Sequence, residues 1–409
     1  MMSLQKFSPK IPHLEVEPLW QLTKGDPRIV IALLDGPVNL DHPNLKGASL
    51  QIIPLANKQD TQCQSHQASA CSHGTQVASL IFGQHEQGHL FGIAPRCKGL
   101  IIPIFHDASS NFGQITPASQ SILAQAIDLA RVNGAHIINI SAGERSTNGQ
   151  PSALLASAIK RCVDAGVLII SAAGNDGCNC LHIPAAMPEV LTVGALNTAG
   201  KPAQFSNFGN LYRQNGLLAP GENLTVALSG GGYAKQSGTS FAAPLVAGVV
   251  GLFLSLGLIK NIKVNALDIR KLLLQSAQPC LQPNPDKCLR YLAGVLDCRS
   301  ALNHFFSGAS LMTDSNTTIT SEAPSSKILP AGLDLASNNI KIPYRSEASQ
   351  DDSPVHHLQP SFNTQRYEAA TPAQSYQTQN LPNQQGQISP SSAGGDCSCQ
   401  KNAAAEDRV

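Results

Sequence analysis

Five short runs of almost uninterrupted apolar residues punctuate the chain: RIVIALLD (28–35), GLIIPIF (99–105), AHIINIS (135–141), GVLIISAAG (166–174) and VLTVGAL (190–196). A strand with one wet face alternates apolar and polar residues, whereas runs like these suit strands covered on both faces, as in parallel sheets. Segments of helical period lie between them. GTQVASLIFG (74–83) follows His73, and ASQSILAQAIDLARVNG (118–134) and PSALLASAIKRCVDAG (151–166) each close on a glycine of the kind that ends helices. SFAAPLVAGVVGLFLSLG (240–257) is apolar on every side and carries the small residues Ala243, Ala247, Gly248 and Gly251, which predicts a buried helix packed closely on the sheet, with Pro244 in its first turn. NALDIRKLLLQSAQ (265–278) predicts an outer amphipathic helix. The alternation of the two patterns predicts an α/β fold of three layers around a mainly parallel central sheet.

From about Gly308 the pattern stops, and Ser, Gln, Asn, Pro and Ala dominate. Such a composition buries too little apolar surface to offset the entropy of ordering. The expected organisation is an N-terminal extension (1–25), one large domain (26–305) and a low-complexity, disordered tail (306–409).

Charge narrows the partners. The formal net charge is +1, only 13% of residues are charged, and no long run of Lys or Arg occurs, so neither nucleic acid nor an anionic membrane is an expected partner. The first twenty residues hold no apolar core of secretory length, and no window offers about 18 consecutive apolar residues. A soluble, cytoplasmic protein is the expectation.

Eleven cysteines cannot all pair within one chain. Cys178 and Cys180 sit two apart, Cys63 and Cys71 flank a loop, and Cys280, Cys288 and Cys298 cluster late in the sequence. No CxxC pair with matching histidine spacing marks a zinc site. The reading is mostly reduced thiols with one or two bridges, no metal and no cofactor.

Three reactive side chains fall at strand ends or helix starts: Asp35 in ALLDGP, His73 in SHGTQVAS and Ser240 in SGTSFAAP. The crevice of an open α/β sheet lies at the carboxyl ends of its strands, where all three could meet. A serine needs a neighbouring base, histidine is that base near neutral pH, and a carboxylate fixes its tautomer. Asn175 in SAAGNDG adds an amide donor for a developing oxyanion. Singly, each residue also reads as a turn former or helix cap. The other histidines, among them His42, His85, His89, His106, His136 and His182, read as structural or solvated, and Asp176 reads as a turn former.

The order Asp, His, Ser, with HGT after the second, AAGN before the amide and GTSxAAP around the third, resembles the subtilisin-like serine proteases, or subtilases, over residues 26–278. The resemblance implies a serine endopeptidase of subtilisin-like fold with Asp35, His73 and Ser240 as triad and Asn175 in the oxyanion hole. It also implies that Phe112 and Gly113 of NFGQ, and Ser141, Ala142 and Gly143 of SAGE, bracket an extended peptide by β-augmentation. Gly36 and Pro37 depart from the Ser or Thr most subtilases place after the aspartate. This DGPVNLDHPNL variant is most similar to the PatA-like proteases of cyanobactin biosynthesis, which implies removal of a leader from a ribosomal precursor peptide, with a second, macrocyclising protease as partner. The alternatives are a general intracellular subtilase that degrades unfolded proteins and an inactive, protease-like binding module. The loop that often holds calcium in secreted subtilases reads GQHEQGHLFG here, with Asn44 at the usual acidic position and Glu86 as its one carboxylate, so no tight calcium site is expected.

Overall fold

Apolar strands that must be covered on both faces lie side by side in the computed structural model, which describes residues 11–56, 61–63, 65, 68–87, 90–107, 115–116, 118–282 and 285–314. Eight strands form one sheet: β1 (Val30–Asp35), β2 (Leu50–Ile52), β3 (Lys98–Pro103), β4 (Ile137–Ile140), β5 (Leu168–Ala172), β6 (Leu191–Leu196), β7 (Gly216–Pro220) and β8 (Gly294–Val295). Their order is β8-β7-β6-β5-β4-β1-β3-β2, and every pairing is parallel. The strand order doubles back beside β1, so the chain leaves the sheet in opposite directions there and opens a crevice at the carboxyl ends.

Helices α1 (Ser69–Phe82), α2 (Gln120–Val132), α3 (Ala153–Asp164), α4 (Thr239–Lys260), α5 (Ala266–Ser276) and α6 (Cys298–Asp314) cover the two faces. One buried cluster joins α1, α4, α5 and α6 to one side of the sheet, and another joins α2 and α3 to the other. Helix α4 is the central pillar of the first. It is long and apolar enough to cross a membrane by length and composition, but 89% of its most apolar window is buried inside the domain, as a core helix requires. A Cβ at Gly248 would run into Ile93, and one at Gly251 would lie 2.9 Å from Ile31 Cδ1, so these glycines set how closely α4 approaches the sheet.

Several boundaries differ from the sequence expectation. Helix α1 begins at Ser69, so His73 sits a full turn inside it and does not open it. Pro244 lies beyond the first turn of α4, which starts at Thr239. Its missing N–H would have bonded the Ser240 carbonyl, and that carbonyl instead accepts the Ser141 hydroxyl at 3.0 Å. Helix α6 runs to Asp314, past the expected end of the domain. The chain divides into Met1–Ala323 and Pro324–Val409, and every described residue lies in the first part.

The thiols also differ. Among the described residues three bridges form, Cys63–Cys71, Cys178–Cys180 and Cys280–Cys288, where one or two were expected. The parity of eleven cysteines says nothing about such short-range pairs. Cys97, Cys162 and Cys298 are buried free thiols.

Candidate active site

Strand β1 ends on Asp35, which is fully buried. Its Oδ1 accepts the backbone N–H of Gly36 at 2.7 Å and the Nδ1–H of His73 at 2.7 Å. The contact depends on two glycines. A Cβ at Gly36 would run into the Ala70 carbonyl of α1, and one at Gly74 into the carbonyls of Gly36 and Pro37. The departure from the usual subtilase residue after the aspartate thus has a local cause, since no side chain fits between β1 and α1.

The pairing fixes the His73 tautomer, with the proton on Nδ1 and the lone pair on Nε2. Burial alone would lower the pKa of His73, but the charge and hydrogen bond of Asp35 outweigh it, and the net shift is upward from 6.5. The ring keeps 22% of its surface exposed, so solvent or substrate can reach it.

Ser240 is the second residue of α4 and is only 8% exposed. Among the described residues its hydroxyl makes no hydrogen bond to His73. The next residue, Phe241, places its ring 5.6 Å from the His73 ring. Behind the serine, Asn139 Nδ2 donates to Ser141 Oγ at 2.9 Å, and Ser141 Oγ donates to the Ser240 carbonyl. This strut anchors the start of α4 to the end of β4.

Asn175 follows β5. Its Oδ1 accepts both the N–H of Thr239 at 2.9 Å and the Thr239 hydroxyl at 3.0 Å. With its oxygen so engaged, the amide must present its Nδ2–H groups elsewhere. A Cβ on Gly238 would lie 3.1 Å from Ser240 Oγ and 3.5 Å from Asn175 Nδ2, so the hydroxyl and the amide nitrogen flank one small space beside Gly238. The Ser240 N–H belongs to the first turn of α4, where backbone donors lack intrahelical acceptors. The structure therefore brings Asp35 to His73, and Ser240 to Asn175. Thr239 escaped the sequence reading, although its place between glycine and the serine could have flagged it.

The residues expected to bracket a peptide fare unequally. Phe112 and Gly113 lie outside the described residues. Ser141 is buried and spends its hydroxyl on the α4 strut; Ala142 is half-buried and Gly143 is exposed. Beside them opens a recess of about 620 Å³ walled by Ile104, Phe105, Leu123, Ile140 and Ile183. At its mouth Gln120 donates to Glu144 at 3.0 Å.

Asp176, read as a turn former, does more. Its Oδ2 accepts from His182 Nε2 at 2.7 Å and from Asn207 Nδ2 at 2.8 Å. Asn207 in turn accepts the Asp176 N–H at 2.8 Å and gives its own N–H to the Gly174 carbonyl at 3.0 Å. The turn carrying Asn175 is thus clamped from behind. His42 is structural, as expected: its Nδ1 accepts the Asn44 N–H, its Nε2 meets the Gly232 carbonyl at 3.2 Å, and burial lowers its pKa. Asn44 donates to the Leu90 carbonyl at 2.8 Å, and His85 stacks on Phe91 at 4.4 Å. Hydrogen bonds and ring stacking thus link Asn44 to Leu90 and His85 to Phe91.

The Subtilase family (Peptidase_S8) matches residues 26–294. The Major intracellular serine protease of Bacillus subtilis (strain 168) is 31% identical over 264 residues, which cover 62% of this chain and 77% of that protein. Among solved structures, the Prenylagaramide maturation protease PagA is 43% identical, with a TM-score of 0.63 over 71% of this chain and 98% of that one. The Patellamide maturation protease PatA is 44% identical, with a TM-score of 0.62 over 69% of this chain and 98% of that one.

Proposed function

The chain belongs to the subtilase family and is a serine endopeptidase; from that premise we propose that it cuts a ribosomally made precursor peptide of the cyanobactin type between leader and core. The observation that carries the substrate class is its 43–44% identity to two solved maturation proteases, each matched over 98% of its length. The fixed Asp35–His73 pair supports the assignment of roles.

In this reading Ser240 Oγ attacks the scissile carbonyl while His73 Nε2 takes its proton. Asp35 stabilises the imidazolium that forms. The oxyanion of the tetrahedral intermediate meets Asn175 Nδ2–H and the Ser240 N–H, donors already in place before the charge develops. His73 then returns the proton to the leaving amine, and an ester of Ser240 with the leader remains. Water, deprotonated by His73, hydrolyses that ester and restores the enzyme. No metal or cofactor enters the cycle. Phe112, Gly113, Ala142 and Gly143 would pair with the peptide backbone, and the backbone of Ser141 would join them.

A second, macrocyclising protease that receives the released core fits the same pathway. The naming of the Bacillus relative as intracellular supports an aqueous, intracellular site of action. Mass spectrometry of products from a leader–core precursor and from casein tests the reading. One dominant cut at the junction, with little casein digestion, is the expected result. Rapid cleavage of casein at many sites without a preferred precursor cut would favour a degradative subtilase instead.

A further inference from the structure

The turn beyond Asn175 reads D-G-C-N-C-L-H, so Asp176, Cys178, Cys180 and His182 occupy alternate positions. Ligand atoms of Asp176, Cys178 and Cys180 all lie within 4.8 Å of one another. We propose that, once the Cys178–Cys180 bond is reduced, these three residues bind a thiophilic divalent cation, with Zn²⁺ as the ion to test.

Four observations carry this. The first is the donor set, because two thiolates and a carboxylate oxygen are the ligands that zinc prefers. Zn–S distances of about 2.3 Å and Zn–O distances of about 2.0 Å put tetrahedral ligands roughly 3.5 Å apart, so the two sulfurs, bonded to each other in the oxidised form, separate on reduction while the carboxylate oxygen already lies within 4.8 Å of both. The second is the free carboxylate oxygen. His182 and Asn207 both bond Asp176 Oδ2, which leaves Oδ1 to face an ion while its partner oxygen stays anchored, as outer partners of metal ligands do.

The third is preorganisation. The backbone around the thiols is pinned by bonds that do not involve sulfur: Gly177 N–H to the Phe205 carbonyl at 2.7 Å, Phe208 N–H to the Cys178 carbonyl at 3.1 Å, and His182 N–H to the Tyr212 hydroxyl at 2.7 Å. Reduction therefore leaves the two thiols converging. The fourth is access, since an open cavity of about 400 Å³ lined by Arg145, Asn179 and Cys180 leads to the site.

The chemistry balances. A dithiol reductant gives two electrons and two protons to the sulfur pair and leaves as a disulfide. Zn²⁺ then displaces the two thiol protons into solvent. The loaded site carries one net negative charge, which faces Arg145, a residue whose positive charge already acts on Asp176. The turn behind Asn175 is thereby cross-linked in either redox state, by sulfur when oxidised and by the ion when reduced. The site itself does not depend on the proposed substrate; only its effect on cleavage does.

The test uses the full chain with Cys63, Cys71, Cys280, Cys288, Cys397 and Cys399 replaced by serine, so that no other bridge contributes thiols, reduced with a phosphine and titrated with Zn²⁺ against a chromogenic chelator. One equivalent should bind to the reduced protein and none to the oxidised one. Cys178→Ser or Cys180→Ser should weaken binding at least about 100-fold, and Asp176→Asn, which keeps the shape and both cysteines, about 10-fold or more. Co²⁺ should give a thiolate charge-transfer band that disappears in the double cysteine variant. No binding by the reduced chain, an unchanged Asp176→Asn affinity, or the same stoichiometry without Cys178 and Cys180 would overturn the proposal.

Discussion

The two ends of the cleft are built from different materials. At the base end, Asp35 and His73 meet because a strand and a helix cross so closely that Gly36 and Gly74 admit no side chain. At the oxyanion end, Asn175 is held by replaceable hydrogen bonds from Thr239, with Asp176 and Asn207 clamping the turn behind it. A backbone crossing has no intermediate setting. A polar network does, because each of its bonds contributes about 1 kcal/mol net and can be removed singly. The comparison teaches that function should fail abruptly at one end and by degrees at the other.

The largest effect tests the abrupt end. Ser240→Ala or His73→Ala should lower kcat by about 10⁶, the scale measured for subtilisin itself, and for Ser240→Ala circular dichroism and the melting temperature should stay near wild type. A variant that keeps a hundredth of the activity would break the contrast at once.

Asp35→Asn should cost about 10⁴ in kcat, because the amide cannot hold the same imidazole tautomer. It should also reshape the pH profile. As the proposed general base, His73 has to be neutral to accept a proton, and Asp35 raises its pKa, so kcat/KM should climb with pH through a value above 6.5. Stability runs the other way. The raised pKa stabilises the fold fully below the unfolded value, and that contribution is lost as pH rises through the folded one. Urea melts across this range should show the pair contributing least where the enzyme is most active.

The graded end comes next. Asn175→Ala should lower kcat about 10²- to 10³-fold, the subtilisin magnitude, with KM nearly unchanged. A raised KM at constant kcat would make Asn175 a binding residue. Thr239→Val keeps the shape and the backbone donor but removes the hydroxyl's bond to Asn175 and the one it accepts from the Gly174 N–H, so a loss of about 5- to 30-fold in kcat is expected. A loss as large as that of Asn175→Ala would show that the oxyanion end is as brittle as the base end.

Much of this was legible in the chain. β1, β3, β4, β5 and β6 coincide with the five apolar runs, because a strand buried on both faces has no polar position to obscure it. The motifs around Asp35, His73, Asn175 and Ser240 were legible because chemistry restricts the residues beside them. β2, β7 and β8 were not: Gly216–Pro220 is bounded by the residues that usually end strands, and Leu50–Ile52 and Gly294–Val295 are too short to show a period. The role of Ser141 was hidden because it depends on a carbonyl ninety-nine residues away, freed by Pro244. The Asp176, Cys178, Cys180 group does not read as a metal site in the chain because its thiols stand two residues apart, whereas a CxxC motif would place them three apart.

The central claim is that Ser240 is a nucleophile activated by a histidine whose pKa Asp35 raises. Labelling with a fluorophosphonate, followed by peptide mapping at a series of pH values, tests it most directly. One label per chain is expected, on the peptide containing Ser240, at a rate that rises with pH through a value above 6.5 and vanishes in His73→Ala. Labelling at another residue, or a rate indifferent to both pH and His73, would contradict it.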